Sequence, residues 1–156
     1  MTMMEDMREF YMRQALLLAE EAAAAGEVPV GCVLVDGEGT VLAEGRNRRE
    51  ETRGVCGHAE LDALERASRA RGDWRMDDCT LYVTLEPCPM CAGAMINARL
   101  GMLVYGAREP LYGSAASILN LFEERYPGRT AILGGVLAEE SAALLREFFE
   151  QRREKQ

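Results

Sequence analysis

Four residues in two short motifs could bind and use a metal ion. His58 and Glu60 lie two residues apart, and Cys88 and Cys91 lie three apart in a proline-containing segment. A structural zinc site is closed by four protein ligands, whereas a catalytic site uses three and keeps one position open. Two cysteines at i and i+3 on a helix share a face and can bind one ion. The spacing therefore predicts a catalytic Zn²⁺ site of His58, Cys88 and Cys91, with Glu60 free to move protons.

The order of these residues indicates hydrolytic chemistry. His-x-Glu followed by Pro-Cys-x-x-Cys resembles the signature of the zinc deaminases, which replace an exocyclic amine of a nucleobase with oxygen. Zn²⁺ lowers the pKa of water towards about 7, so a nucleophile exists at neutral pH. Glu60 can take the proton of that water and return it to a ring nitrogen and the leaving amine. If both motifs open helices, two positive helix N-termini help to stabilise the thiolates.

Two other interpretations of the cysteines stay open. A Cys-x-x-Cys pair between a strand and a helix also occurs in thioredoxin-like redox proteins, although it leaves His58, the one histidine, unexplained. A structural zinc site would need a fourth ligand, for which Cys56 or Cys79 can be considered. Cys79, like Cys32, lies in an apolar strand-like run and is expected to be a buried small hydrophobe.

Length and composition predict one domain spanning residues 1–156, which the metal motifs would make a deaminase domain, and no disulfide framework. A chain of 156 residues can bury a core without covalent cross-links. Its five cysteines are an odd number, and the metal requires two of them. Because there is neither a signal peptide nor an apolar run of membrane-spanning length, we expect no membrane contact and a cytoplasmic location. The net charge of -8 does not favour nucleic-acid binding, and the arginine clusters at 46–53 and 146–153 are interleaved with glutamates.

Helices and strands are predicted to alternate along the chain. The predicted helices are one that contains Tyr11 to Ala25 and stops at Gly26, then 58–70, 88–98, 117–124 and 139–153. The predicted strands are 30–35, 40–45, 79–85, 100–105 and 130–136, with a hairpin turn at 36–39. This order favours an α/β fold in which a mixed sheet lies between layers of helices.

Nearly the whole chain is similar to the cytidine deaminase superfamily, and within it to the bacterial tRNA-specific adenosine deaminases. Beyond the metal motifs, the similar segments are GEVPVG at 26–31, TLYVTLEPC at 80–88, CAGAM at 91–95 and VYGA at 104–107. The resemblance implies a three-layer α/β/α fold with a five-stranded mixed sheet, one zinc ion per subunit and a homodimer. It also implies conversion of adenosine to inosine at the wobble position of a tRNA anticodon loop.

The resemblance also assigns roles around the target base. Asn47 would hydrogen-bond the base, since an amide both donates and accepts, although from spacing alone it would be a turn residue. Val28 and Leu85 would form apolar walls, although by spacing alone they would be core residues. Ala59 and Cys88 could offer backbone groups to the base.

Two segments depart from the family pattern on the side expected to face RNA. Residues 54–57 are Gly-Val-Cys-Gly where the family usually has Asp-Pro-Thr-Ala. In segment 108–113, Glu109 takes the place of an aspartate and Leu111 that of a frequent lysine. In the last helix, Phe148 or Phe149 could contact the anticodon loop, while at least one of them is expected to pack in the core.

Two alternative functions stay open at this point. Deamination of a free base such as guanine or cytosine would use the same core. The Pro-Cys-Pro-Met-Cys segment also occurs in guanine deaminases, and an acidic surface suits a small substrate. A non-catalytic zinc-bearing subunit is the other alternative, but such subunits tend to lose the glutamate, and Glu60 is present.

Overall fold

A five-stranded mixed sheet forms the centre of the molecule. The computed structural model describes residues 2–155. Across the sheet the strands lie in the order β2-β1-β3-β4-β5, with β1 antiparallel to both neighbours and β3, β4 and β5 parallel. The strands are β1 (Gly31–Val35), β2 (Val41–Arg46), β3 (Thr80–Leu85), β4 (Met102–Ala107) and β5 (Ala131–Gly134). The predicted five-stranded mixed sheet is confirmed.

Helices cover both faces of this sheet. They are α1 (Met3–Ala24), α2 (Arg49–Thr52), α3 (Ala59–Arg71), α4 (Pro89–Asn97) and α5 (Ala138–Glu154). Alternate residues of β3 show the layering, because side chains point to opposite faces along a strand. Leu81 and Val83 are buried with α3 and α4 on one face, whereas Tyr82 packs with α1 residues on the other. The three-layer α/β/α architecture is confirmed, and among the described residues no helix is both long and apolar enough to cross a membrane.

Close approach of α3 to β2 depends on Gly45. A Cβ at this position would lie 2.2 Å from the carbonyl oxygen of Ala59 and 2.9 Å from the nitrogen of Ala63. Neither backbone atom could give way without moving the helix, so β2 needs a glycine here. The contact brings the first turn of α3, which carries Glu60, against the sheet.

The predicted helix at 117–124 is wrong. The segment contains a single 3₁₀ turn, Leu121–Glu123, whose first free N–H is capped by the side chain of Asn120. The N–H of Leu121, which would donate to Ser117 in an α-helix, instead donates to the carbonyl of Ser114 at 2.9 Å. Donors held by a distant acceptor are not available for an α-helical ladder. The ends given for the other predicted elements lie within two residues of those observed.

Candidate active site

Both metal motifs lie at helix N-termini on the same face of the sheet. His58 has extended backbone and immediately precedes α3, and Cys88 stands in the same relation to α4. Pro89 occupies the first turn of α4, where an N–H would have no partner within the helix. The positive ends of two helices therefore point at one place, which favours anionic ligands there.

The ligand atoms are spaced as a tetrahedral metal requires. Nδ1 of His58 lies 3.6 Å from Sγ of Cys88 and 3.4 Å from Sγ of Cys91. Ligand atoms of all three residues lie within 4.8 Å of one another. A zinc ion about 2.05 Å from nitrogen and about 2.3 Å from sulfur, with a tetrahedral angle between them, separates the two atoms by about 3.6 Å. The residues present therefore fit a three-ligand zinc site.

The structure gives no support to a fourth cysteine ligand. Among residues 2–155, the group of metal-binding side chains that converges consists of His58, Cys88 and Cys91. Cys79 is buried beside Met76 and Arg71, and Cys56 is exposed on the rim of a separate cleft. The arrangement also gives His58 a role as a metal ligand, whereas the redox interpretation of the cysteine pair gave it none.

The two cysteine thiols share a hydrogen bond that shifts their pKa values in opposite directions. A hydrogen bond from the Cys91 thiol lowers the pKa of Cys88 to about 4, against the opposing effect of burial and with help from His58. The same hydrogen bond, followed by burial and the nearby Glu60, raises the pKa of Cys91. The hydrogen bond therefore favours the thiolate at Cys88, whereas Cys91 must lose its proton when a metal binds.

Glu60 is buried beside these ligands in the first turn of α3. Only 4 % of the residue is exposed, and burial is the main reason that its pKa is raised to about 7. A carboxyl group with such a pKa can both accept and release a proton near neutral pH. Its position next to His58, but outside the converging ligand group, agrees with a role in proton transfer rather than in metal binding.

One cleft of about 690 Å³ brings the predicted site residues together. His58, Glu60 and Cys88 line it, whereas Cys91 is fully buried and does not. The volume is typical of a small-molecule site and large enough for a nucleoside. The remaining predicted site residues that line it are Val28, Asn47, Ala59, Leu85, Glu109 and Phe149.

Asn47 has structural contacts and spare hydrogen-bonding capacity. Its Nδ2 donates to the carbonyl oxygen of Val28 at 3.3 Å, and its Oδ1 accepts the N–H of Arg49 at 3.1 Å. An asparagine amide has two donors and two acceptor lone pairs, so one of each remains for a ligand. The backbone of Ala59 also has one group left for a base. Its carbonyl accepts a hydrogen bond from the thiol of Cys32 at 3.0 Å. The N–H of Ala59, at the first position of α3, has no partner within the helix and is the better candidate.

The two phenylalanines of α5 have different surroundings. Phe148 is 8 % exposed, whereas Phe149 is 45 % exposed and lines the cleft. Arg152 lies over the ring of Phe148 and donates to the carbonyl of Gly26 at 2.9 Å, which ties the end of α5 to the turn after α1. Phe149 is therefore the aromatic residue available to a ligand.

Two buried carboxylates next to the cleft were not among the predicted site residues. Glu86 accepts hydrogen bonds from segment 108–117, and Glu27 accepts the N–H groups of Glu50 and Glu51 at 2.9 and 2.8 Å. The second contact caps α2, a helix that was also not predicted. Burial raises the pKa of Glu86, but hydrogen bonds from Ser117 and neighbouring N–H groups outweigh it, so the net shift is downward. An acidic residue at the end of an apolar strand was the available signal.

Comparison with known proteins agrees with this geometry. The chain matches the MafB19-like deaminase family over residues 6–153. It is 43 % identical over 148 residues to the tRNA-specific adenosine deaminase of Bacillus subtilis (strain 168), covering 94 % of this chain and 91 % of that protein. A solved structure from work on A-to-I editing by tRNA:A34 deaminases at the wobble position of transfer RNA has TM-score 0.84 and 39 % identity. It covers 87 % of this chain and 99 % of its own.

A guanine deaminase is also similar in structure. The enzyme from Nitrosomonas europaea has TM-score 0.79 and 26 % identity, covering 90 % of this chain and 83 % of its own. Fold, site and family match together define the class, which is that of the MafB19-like deaminases. With 43 % identity over nearly the full length of both proteins, the chain belongs within this class to the tRNA-specific adenosine deaminases.

Proposed function

We propose that this protein is a zinc-dependent hydrolase that converts adenosine to inosine at the wobble position of a tRNA anticodon loop. The observation that carries the proposal is the cleft in which His58 and Cys88 meet the buried carboxyl of Glu60. A metal-ligand group, a proton carrier and a base-sized space in one place are the components that hydrolytic deamination requires.

The chemistry is divided between the bound metal and Glu60. His58, Cys88 and Cys91 would hold one Zn²⁺, which supplies a nucleophile from water at neutral pH when bound. Glu60 takes a proton from the attacking water and delivers protons to the ring nitrogen and to the leaving amine. Adenosine and water thereby give inosine and ammonia, and Glu60 ends in its starting state. Burial suits Glu60 to this cycle because it brings its pKa to about 7.

Neighbouring residues would hold the base against the reacting centre. Val28 and Leu85 offer apolar contact to the ring, and Asn47 offers its free donor and acceptor to the polar edge. The N–H of Ala59 lies at the start of α3 beside His58. A nucleotide enters such a site only when it is splayed out of its stack, which a loop permits at low cost.

The proposal that the substrate is an adenosine in tRNA is supported by the relatives and not by the net charge of the chain, which is -8. The Bacillus subtilis relative is named for tRNA and adenosine, and the solved relative for the wobble position. We also expect a cytoplasmic homodimer with one zinc ion in each subunit. Light scattering of the purified protein tests the dimer, and a monomer at working concentration would contradict that part of the proposal.

An assay of the zinc-loaded protein on an anticodon stem-loop with adenosine at the wobble position tests the proposal. A stem-loop of the same composition with the adenosine moved by one nucleotide is the matched control, and free adenosine, cytosine and cytidine run in parallel. We expect inosine in the first stem-loop alone. Equal reaction of the displaced adenosine, or turnover of the free nucleosides alone, would contradict the assigned substrate.

Deamination of free guanine is the second candidate function. It is supported by the similarity to the Nitrosomonas europaea guanine deaminase and by the acidic net charge of -8, which suits a small substrate better than RNA. The lower identity, 26 % against 43 % for the tRNA-specific relative, makes it the weaker candidate. Guanine added to the same panel decides between them, since its turnover without any reaction of the stem-loop would favour this alternative.

A further inference from the structure

A buried carboxylate lies beneath the loop that forms one wall of the cleft. Glu86 is 2 % exposed, follows the last residue of β3 and lines the cleft. Residues 108–117, called here the wall loop, leave the end of β4 and contribute Glu109, Leu111 and Tyr112 to the cleft. No part of the wall loop belongs to a helix or strand, so other contacts must determine its shape.

Glu86 accepts hydrogen bonds from both ends of the wall loop. One carboxylate oxygen accepts the N–H of Glu109, at 3.0 Å, and the hydroxyl of Ser117. The other oxygen accepts the N–H groups of Ala115, Ala116 and Ser117 at 3.1, 2.8 and 2.9 Å. An ionised carboxylate is suited to this task because both oxygens only accept. These contacts join residues 23 to 31 positions apart in sequence.

The middle of the wall loop also lies against this carboxylate. A Cβ on Gly113 would be 2.5 Å from both Cδ and one oxygen of Glu86, so the loop backbone passes directly over the acid group. By contrast, Leu111 and Tyr112 are 75 % and 65 % exposed and contribute little packing that could hold the loop. The wall loop is therefore held mainly from its buried side, by five hydrogen bonds to Glu86 and one from Ser114 to the carbonyl of Pro87 at 2.9 Å.

We propose that Glu86 is a positioning residue, which sets the shape of the cleft wall and thereby the fit of the target nucleoside without touching the reacting atoms. Glu109, Leu111 and Tyr112 face the substrate only while the wall loop keeps its present path. The kinetic part of this inference rests on the proposed function, but the structural part does not.

Two substitutions disturb the contact in different ways. Glu86→Gln keeps the size of the side chain but replaces one acceptor oxygen with an amide donor, which leaves loop N–H groups unpaired. Its control is Glu44→Gln, the same change at an exposed position on β2. Gly113→Ala keeps the carboxylate and displaces it sterically. Its control is Gly93→Ala, where an added Cβ meets nothing within 4 Å.

Amide hydrogen exchange, zinc content and deamination kinetics of the zinc-loaded proteins test the inference. In Glu86→Gln and Gly113→Ala we expect exchange in the wall loop to accelerate about tenfold or more, with β3 and α4 unchanged and zinc retained. KM for the stem-loop should rise about tenfold, while kcat changes by less than about threefold. Both controls should behave as the unmodified protein does.

Three results would overturn the inference. They are unchanged exchange in the wall loop, loss of zinc, or a fall in kcat at constant KM, since the last two would place the role of Glu86 in the metal site or the chemistry. If Glu86→Gln does not fold, Ser117→Ala removes the one hydroxyl donor to the same carboxylate and should give a smaller effect of the same pattern. Should the unmodified protein not act on the stem-loop, hydrogen exchange alone decides whether Glu86 holds the wall loop.

Discussion

Three cysteines of this chain show how the position of a thiol in the fold determines whether it can bind a metal. Cys88 and Cys91 lie at the start of α4 and face Nδ1 of His58, whereas Cys56 is exposed outside the ligand group. Thiolate character depends on neighbouring donors and helix N-termini, both of which Cys88 has. Metal binding is therefore expected to depend on the paired cysteines and not on Cys56.

Replacing Cys91 with serine should remove zinc and lower the melting temperature. A serine hydroxyl is not ionised at neutral pH and is a poor ligand for zinc, and a bound ion would join the starts of two helices. Metal analysis and thermal unfolding of Cys91→Ser measure both effects, with Cys56→Ser as the control. Loss of zinc from Cys56→Ser would instead support the alternative of a structural zinc site with Cys56 as the fourth ligand.

At the residue scale, the sequence predicted the residues whose chemistry is intrinsic. A histidine and two cysteines at suitable spacing predict a metal site, and Glu60, two residues from His58, is predicted to carry protons. Glu86 could not be found in this way, because its role depends on a loop that returns to it 23 to 31 residues later. Asn47 was identified through family resemblance, since its local contacts are those of an ordinary turn.

At the scale of elements, α5 carries a buried phenylalanine, Phe148, next to one that lines the cleft, Phe149. Phe149→Ala should raise KM for the stem-loop by about tenfold, because stacking on a base contributes roughly 1–3 kcal/mol, and it should barely change the melting temperature. Phe148→Ala should instead cost about 3–5 kcal/mol of unfolding free energy, as expected for a buried aromatic residue. Kinetics and chemical unfolding of the two variants test this, and a reversed pattern would contradict the assignment.

The end of α3 remote from the metal is fixed by an ion pair between Arg71 and Asp78. The hydrogen bond from Arg71 is the main reason that the pKa of Asp78 lies below its ordinary value of 3.8. A depressed pKa means that the folded state favours ionised Asp78. The stabilisation is therefore present above pH 3.8 and is lost as the pH falls through the lower, folded-state pKa.

Asp78→Asn should accordingly lower the unfolding free energy at neutral pH by about 0.5 kcal/mol, since the pair is partly exposed. The difference from the unmodified protein should shrink as the pH falls below 3.8. Chemical unfolding over this pH range is the measurement, and Asp77→Asn, at the exposed neighbouring position, is the control. A difference that grows on acidification would show that the ion pair is not its cause.

Periodicity predicted the long elements of this fold but not the short ones. Helices such as α3 and α4 carry their own apolar patterns and start signals, so their ends were found within two residues. The four-residue α2 depends on a cap from Glu27. Segment 117–124 stays irregular because Glu86 holds the N–H of Ser117 and Leu121 donates outside the segment, to the carbonyl of Ser114. Both outcomes are determined by side chains distant in sequence, which no local pattern reveals.

At the scale of the whole molecule, the net charge of -8 means that RNA binding must rely on local arginines. Arg152 and Arg153 lie together at the end of α5, but Arg152 is engaged with Phe148 and Gly26. Arg153→Ala should weaken stem-loop binding and reduce the salt dependence by about 0.7 in the logarithmic slope. Arg152→Ala should in addition lower the melting temperature.

Binding titrations at several salt concentrations, together with thermal unfolding, measure these effects. An unchanged slope in Arg153→Ala would place the phosphate contacts elsewhere on the surface. An unchanged melting temperature in Arg152→Ala would mean that its contact with Gly26 does not hold the end of α5.

Position-resolved inosine formation in the wobble stem-loop by Glu60→Gln, with zinc measured in the same sample, tests the central claim most directly. Glutamine preserves the shape of the side chain but cannot carry the proton. The variant should retain one zinc ion per chain and lose at least about 10²-fold in deamination rate, the scale of general acid–base catalysis. Loss of zinc together with activity would make Glu60 a ligand, and near-normal activity with zinc bound would remove it from the chemistry.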